Sequence, residues 1–144
     1  MVTIERSADF AAPPERVYAL LADETRMREW RDDLVASERL SPPGPMNGVT
    51  YRETIKTPVG NQVVSVKLSA VENLSLAFEV TDGAVRPQGK IVLTALPAGG
   101  THLVYRIDLA PMFGIPSPLD AAAKTYFGGS IDRGIAKLRT LLGG

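Results

Sequence analysis

The stretch LDAAAKTYFGGSIDRGIAKLRTLL, residues 119–142, decides the fold. At about 100° per residue, Leu119, Ala122, Ala123, Tyr126, Phe127, Ile131, Ile135, Leu138 and Leu141 fall on one broad apolar face of a long helix. Ser117-Pro118 supplies a cap and a first-turn proline, and Gly143-Gly144 closes the other end. The centre of the apolar face is small: Ala123, Ser130 and Gly134. A helix laid flat on a sheet normally carries Leu or Ile at its centre. Small residues there imply either unfilled volume opposite the sheet or a close approach of backbones. Gly128 and Gly129 each cost about 1 kcal/mol relative to Ala inside a helix, which points to a bend or a lid.

Upstream of this helix the period changes from 3.6 to 2. In Thr101–Leu109 the residues Leu103, Tyr105, Ile107 and Leu109 oppose His102, Val104, Arg106 and Asp108, and in 74–81 Leu74, Leu76, Phe78 and Val80 oppose Ser75, Ala77, Glu79 and Thr81. Further strands are expected over 49–57, 62–71 and 90–96. They are separated by the short turn-rich segments 58–61, 72–73, 82–83 and 97–100, suited to antiparallel hairpins. Asp82-Gly83 is a strong hairpin signal, whereas Pro87 cannot donate to a ladder and delays the strand after it.

Residues 2–10 alternate as a half-buried strand. Ala12-Pro13-Pro14-Glu15 starts a helix with Val17, Leu20 and Leu21 inward, and Asp23 or Thr25 caps a short second helix ending near Trp30. A strand follows over 34–40, a proline-rich loop over 41–48, and residues 110–116 form an apolar linker before the long helix. The order predicts an α+β fold, helices segregated from a mostly antiparallel sheet, with residues 1–144 as one domain.

Composition narrows the chemistry. Sixteen Lys and Arg balance 16 Asp and Glu, so no cationic surplus exists for nucleic acid. There is no cysteine and a single histidine, His102, so thiol catalysis and Cys/His metal sites are excluded and neither a metal nor a cofactor is expected. His102 lies on the outer parity of its strand. The start of the chain lacks a secretory pattern and no stretch is long and apolar enough to span a membrane, so a cytoplasmic protein without membrane insertion is expected.

Two charges sit on apolar parities: Glu53 falls with Val49, Tyr51 and Ile55, and Arg6 with Ile4, Ala8 and Phe10. An acid facing a core must be paired, hydrogen-bonded or wet, and Arg6 is the expected counter-charge in a cavity. The alternative is a bulge or frayed strand that sends one or both to solvent. Arg26, Arg28 and Arg31, mixed with Glu24, Glu29, Asp32 and Asp33, read as a solvated helix face. Nucleophile-elbow and phosphate-loop patterns near Ser130 and Lys90 fail on spacing.

The run Ala12-Pro13-Pro14-Glu15-Arg16-Val17-Tyr18-Ala19-Leu20-Leu21-Ala22-Asp23, then Trp30, the Gly48 turn into a strand, Gly99-Gly100-Thr101 and the long terminal helix together cover essentially the whole chain. In order and spacing they resemble the polyketide cyclase/dehydratase and lipid-transport family. That family lies within the superfamily of StAR-related lipid-transfer and birch-pollen-allergen-like domains.

The resemblance implies a helix-grip fold: a curved antiparallel sheet of about seven strands around the C-terminal helix, two short helices between strands 1 and 2, and an apolar pocket between sheet and helix. Tyr51, Glu53, Phe78, Tyr105, Tyr126 and Phe127 are then candidate walls, with Trp30, Met112 and Phe113 near a mouth. Glu53, Tyr105 and Arg6 are the candidate acid, base and oxyanion groups, although no family motif assigns these roles. Three readings follow: a carrier or sensor of a hydrophobic small molecule, a cyclase or dehydratase working in the same pocket, or a protein-interaction module similar to chaperone co-factors. Either a monomer or a homodimer fits.

Overall fold

The computed structural model describes residues 2–110, 115 and 117–144. Its elements run β1 (Val2–Phe10), α1 (Pro14–Leu21), α2 (Met27–Trp30), β2 (Leu34–Arg39), β3 (Thr50–Thr57), β4 (Gly60–Val71), β5 (Ser75–Val80), β6 (Gln88–Ala95), β7 (Thr101–Leu109) and α3 (Leu119–Leu142). The seven strands form one antiparallel sheet in the order β1-β7-β6-β5-β4-β3-β2. Strands β2 to β7 are a meander of sequential neighbours, while β1 joins the far edge beside β7 with Val2 opposite Leu109 and Phe10 opposite Thr101. The helices α1 and α2 carry the chain from one edge to the other, and α3 lies against the inner face of the sheet beside β1. This is the helix-grip arrangement.

Alternation decides which side chains meet α3. Tyr51, Glu53 and Ile55 of β3, Val64, Val66 and Leu68 of β4, Ile91 and Leu93 of β6, and Leu103, Tyr105, Ile107 and Leu109 of β7 are all buried. Burying such side chains contributes about 1.5–3 kcal/mol apiece, and it fixes register, because a one-residue slip would turn each outward. In β2 the register shifts between Leu34 and Ala36, a bulge that keeps Leu34 inward opposite Ile55.

The far end of the sheet closes tightly. Gly100 approaches the Phe10 carbonyl so closely that any Cβ would overlap it, and the buried Thr101 hydroxyl donates to the Ala12 carbonyl at 2.7 Å. The helix α3 ends with Gly143 in the left-handed region (φ 78°), and the Ala11 N–H donates to the Gly144 carbonyl at 2.9 Å.

Two sequence expectations change. Asp82-Gly83 does not make a two-residue hairpin; residues 81–87 form a loop instead. The Asp82 carboxylate accepts the Ser65 N–H at 2.7 Å and the Ser65 hydroxyl at 2.8 Å, and β6 begins only at Gln88, after Pro87. The second concerns α3, which is continuous through Gly128-Gly129 and buries a narrower stripe than expected, leaving Leu119 and Ala122 exposed. Gly134 serves backbone approach, since a Cβ there would lie 3.0 Å from the Trp30 carbonyl oxygen. Gly128 makes room for Arg6, whose Nη2 would be 2.8 Å from a Cβ. No helix among the described residues is long and apolar enough to cross a membrane.

Candidate functional site

The space between sheet and α3 is organised by one triplet, Arg31-Asp32-Asp33. The helix α2 ends at Trp30, and Arg31 turns to extended backbone (φ −81°, ψ 104°). Met27, Trp30 and Arg31 therefore share the inward face, spaced i, i+3 and i+4. Arg31 is buried, and its Nη1 donates to both oxygens of Glu53 at 3.0 and 2.9 Å, while Nε and Nη2 grip Asp33 at 3.3 and 3.0 Å. Asp32 points the other way and accepts from Arg133 at 2.8 Å and Lys137 at 3.0 Å, both on α3. Three consecutive residues thus bind α2 to β3 on one side and to α3 on the other.

Glu53 is 1% exposed, and Arg31 is its counter-charge. Burial alone would lower the Arg31 pKa, but the adjacent Asp33 and Glu53 carboxylates outweigh that and hold it well above its ordinary value. The guanidinium sits 5.6 Å from the Phe78 ring centroid, and Phe78 meets Tyr105 edge-on at 6.4 Å. Burial, reinforced by the Asp33 charge, raises the Tyr105 pKa, so its hydroxyl keeps its proton at neutral pH. That hydroxyl has no hydrogen-bond partner among the described residues. Nor does the fully buried indole N–H of Trp30.

These groups surround a cavity of about 20 Å³, lined among others by Trp30, Arg31, Phe78, Tyr105, Phe127 and Ser130. It is large enough for one water molecule. The small residues of α3 thus leave little free volume opposite the sheet, and Gly134 serves the close approach of backbones instead. A larger hollow of about 380 Å³ lies on the outer face of the sheet, walled by Lys67, Glu79, Lys90, Arg106 and Asp108. Its exposed, charged walls cannot hold an apolar molecule away from water, so the inner cavity is the candidate site.

Of the residues singled out from sequence, Trp30, Phe78, Tyr105 and Phe127 line this cavity, and Glu53 lies behind it, bonded to Arg31. Trp30 is part of the floor and not of a mouth, being 2% exposed. Tyr51 is buried but points elsewhere: its hydroxyl donates to Glu24 at 2.7 Å. Tyr126 packs edge-on against Phe127, 5.4 Å between centroids, without lining the cavity. Met112 and Phe113 lie outside the described residues.

Arg6 is not the partner of Glu53. It lies between β1 and α3, half-exposed, with Nε 3.0 Å from Asp132. Arg31, read as part of a solvated face, is the true counter-charge. The missed signal was its place directly after Trp30 and four residues beyond Met27, on the face those two apolar residues share. His102 faces outward and pairs with Asp9. Among the described residues no three His, Asp or Glu side chains gather as a metal site.

A family model described as polyketide cyclase/dehydrase and lipid transport matches residues 1–143. Among solved structures, a START superfamily protein from Mycobacterium smegmatis superposes with a TM-score of 0.79 at 14% identity, covering 99% of this chain and 97% of its own. A protein from Thermus thermophilus gives 0.76 at 17% identity, covering 96% and 94%. The Zhui aromatase/cyclase from Streptomyces sp. R1128 gives 0.70 at 18%, covering 98% and 91%. At these identities the likeness is one of fold. No curated protein sequence matches the chain.

Proposed function

The chain belongs to the polyketide cyclase/dehydrase and lipid-transport family, and on that premise we propose that it binds a hydrophobic small molecule between the sheet and α3, as a carrier or sensor. The observation that carries this reading is the enclosed space between the sheet and α3, whose lining includes Trp30, the one fully buried side-chain donor without a hydrogen-bond partner among the described residues. A buried donor without an acceptor costs about 1–3 kcal/mol, a cost that a bound oxygen atom offsets. The space of about 20 Å³ takes one water molecule, so on this reading a larger ligand requires side chains that line it, such as Phe78 and Phe127, to turn aside.

Acid/base catalysis in the same place is the weaker reading. Glu53 is bonded through both oxygens to Arg31, and Tyr105 retains its proton, so the cavity offers hydrogen-bond donors but no free base at neutral pH. Denaturing the purified protein in organic solvent and analysing the extract by mass spectrometry tests the binding reading. A stoichiometric hydrophobic compound is the expected result. An empty protein whose melting temperature no lipid, quinone or polyketide shifts would shift the balance to a protein-interaction role.

A further inference from the structure

The outer face of the sheet, away from α3, carries the hollow of about 380 Å³, a size that suits a small polar molecule. Three cations, Lys67, Lys90 and Arg106, and two carboxylates, Glu79 and Asp108, line it, so its walls carry one positive charge in excess. Strand register locates that excess. Lys67 stands opposite Glu79 across β4 and β5, and Arg106 donates through Nε to both oxygens of Asp108, at 3.2 and 3.1 Å. Lys90 has no such companion. It stands directly opposite Arg106 on β7 and Ala77 on β5, and it forms no ion pair among the described residues.

Like charges directly opposite one another on a sheet face repel and destabilise the pair of strands. Here the two cations are exposed side by side, and the Arg106 fork has both Nη atoms unpaired among the described residues. An oxyanion lying over Ala77 would accept from the fork and from the Lys90 ammonium together, and would cancel their repulsion. The rest of the wall is polar. Ser69, Gln88 and Glu79 bring a hydroxyl, an amide and a carboxylate that make no side-chain hydrogen bond among the described residues, a set that both donates to and accepts from hydroxyl groups. The exposed large apolar side chains, Val63, Val71 and Leu74 among them, lie outside this hollow, so a lipid headgroup at a membrane surface finds no apolar rim here.

We infer that this hollow is a second site, separate from the inner cavity, for a soluble phosphate monoester with a hydroxylated body, that is, a sugar phosphate. Lys90 and Arg106 hold its phosphate, and Ser69, Gln88 and Glu79 its hydroxyls.

Glucose 6-phosphate, inorganic phosphate and glucose, titrated at constant ionic strength into the isotope-labelled full chain and followed by amide-correlation NMR, test this. Glucose 6-phosphate is expected to move the amide peaks of residues 88–90 and 106–108, and to leave those of Trp30 and Ser130, at the inner cavity, in place. Inorganic phosphate should move the same peaks with lower affinity, and glucose should move none. Lys90→Gln is expected to weaken glucose 6-phosphate roughly fivefold, as for one exposed charge pair. Without ligand and at low salt the same variant should melt no lower than the parent, because it removes a repulsion; this separates a binding role from a structural one. Glucose 6-phosphate that moves no peaks at the hollow, or that binds Lys90→Gln as tightly as the parent, overturns the inference. Inorganic phosphate binding as tightly as the sugar phosphate overturns the part given to the hydroxylated body, and glucose binding as tightly overturns the part given to the cations. A Lys90→Gln variant that melts below the parent overturns the repulsion assigned to Lys90 and Arg106.

Discussion

Removing the Arg31 side chain charge, as in Arg31→Met, is the most informative single perturbation. Glu53 is 1% exposed and both of its oxygens are bonded only to Arg31. The variant leaves it a buried carboxylate with neither counter-charge nor donor, a situation that costs about 3–5 kcal/mol. Set against a total stability of about 5–15 kcal/mol, this is a large fraction. For a chain near this length it corresponds to a fall of roughly 6–20 °C in Tm.

The reciprocal change, Glu53→Leu, is milder, because Asp33 still holds the guanidinium through Nε and Nη2. The double variant is more stable than Arg31→Met alone, since Leu and Met are compatible with their apolar neighbours and Asp33, 22% exposed, reaches water. Urea unfolding followed by Trp30 fluorescence at constant m-value measures all three. A loss below about 1 kcal/mol for Arg31→Met, or a double variant no better than that single one, would refute the claim that Glu53 depends on Arg31.

Two glycines of α3 should respond oppositely to alanine. Gly134→Ala places a Cβ 3.0 Å from the Trp30 carbonyl oxygen, a backbone atom that cannot swing away, and should destabilise by about 1–3 kcal/mol in thermal unfolding. Gly129→Ala meets only the exposed end of Arg133 and should stabilise by about 0.5–1 kcal/mol. Gly89→Ala would drive a methyl into the Phe78 ring, and its expected outcome is lost stability together with altered ligand affinity in calorimetry. The Asp32 pKa is raised by partial burial but lowered more by Arg133 and Lys137, so its net shift is downward. A carboxylate with a depressed folded pKa contributes fully above its unfolded value of about 4 and loses that contribution as pH falls through the folded one. The stability gap between the parent and Asp32→Asn, at most about 1 kcal/mol per exposed partner, should therefore close below that range in acid titrations of unfolding.

The sheet was legible because each strand carries its own evidence. Alternation in 101–109 assigns Leu103, Tyr105, Ile107 and Leu109 to one face without reference to any other part of the chain, and all four are buried. Glu53 was recognisable as an inward acid by the same logic. Its partner was not, because the counter-charge comes from a residue 22 positions away whose local surroundings are mostly charged. The reading of Arg31 as solvated followed from its neighbours, whereas its direction is set by the end of α2, where extended backbone swings it inward. Small residues on α3 were likewise ambiguous. Only the partner surface decides whether Gly134 vacates volume or admits a carbonyl, and that partner, Trp30, lies on a different element.

The pairing of β1 with β7 bears on how the chain is made as well as on how it stands. Val2 finds its neighbour in Leu109, and Phe10 in Thr101, across nearly the whole length of the meander. During synthesis at about 5–20 residues per second, β1 waits roughly 5–20 s before its partner strand exists. Throughout that interval its inward residues, Ile4 and Phe10, have neither β7 nor α3 to cover them. The seam between β1 and β7 thus closes late in synthesis, and a nascent chain stalled before residue 101 offers an unmatched strand to any neighbour.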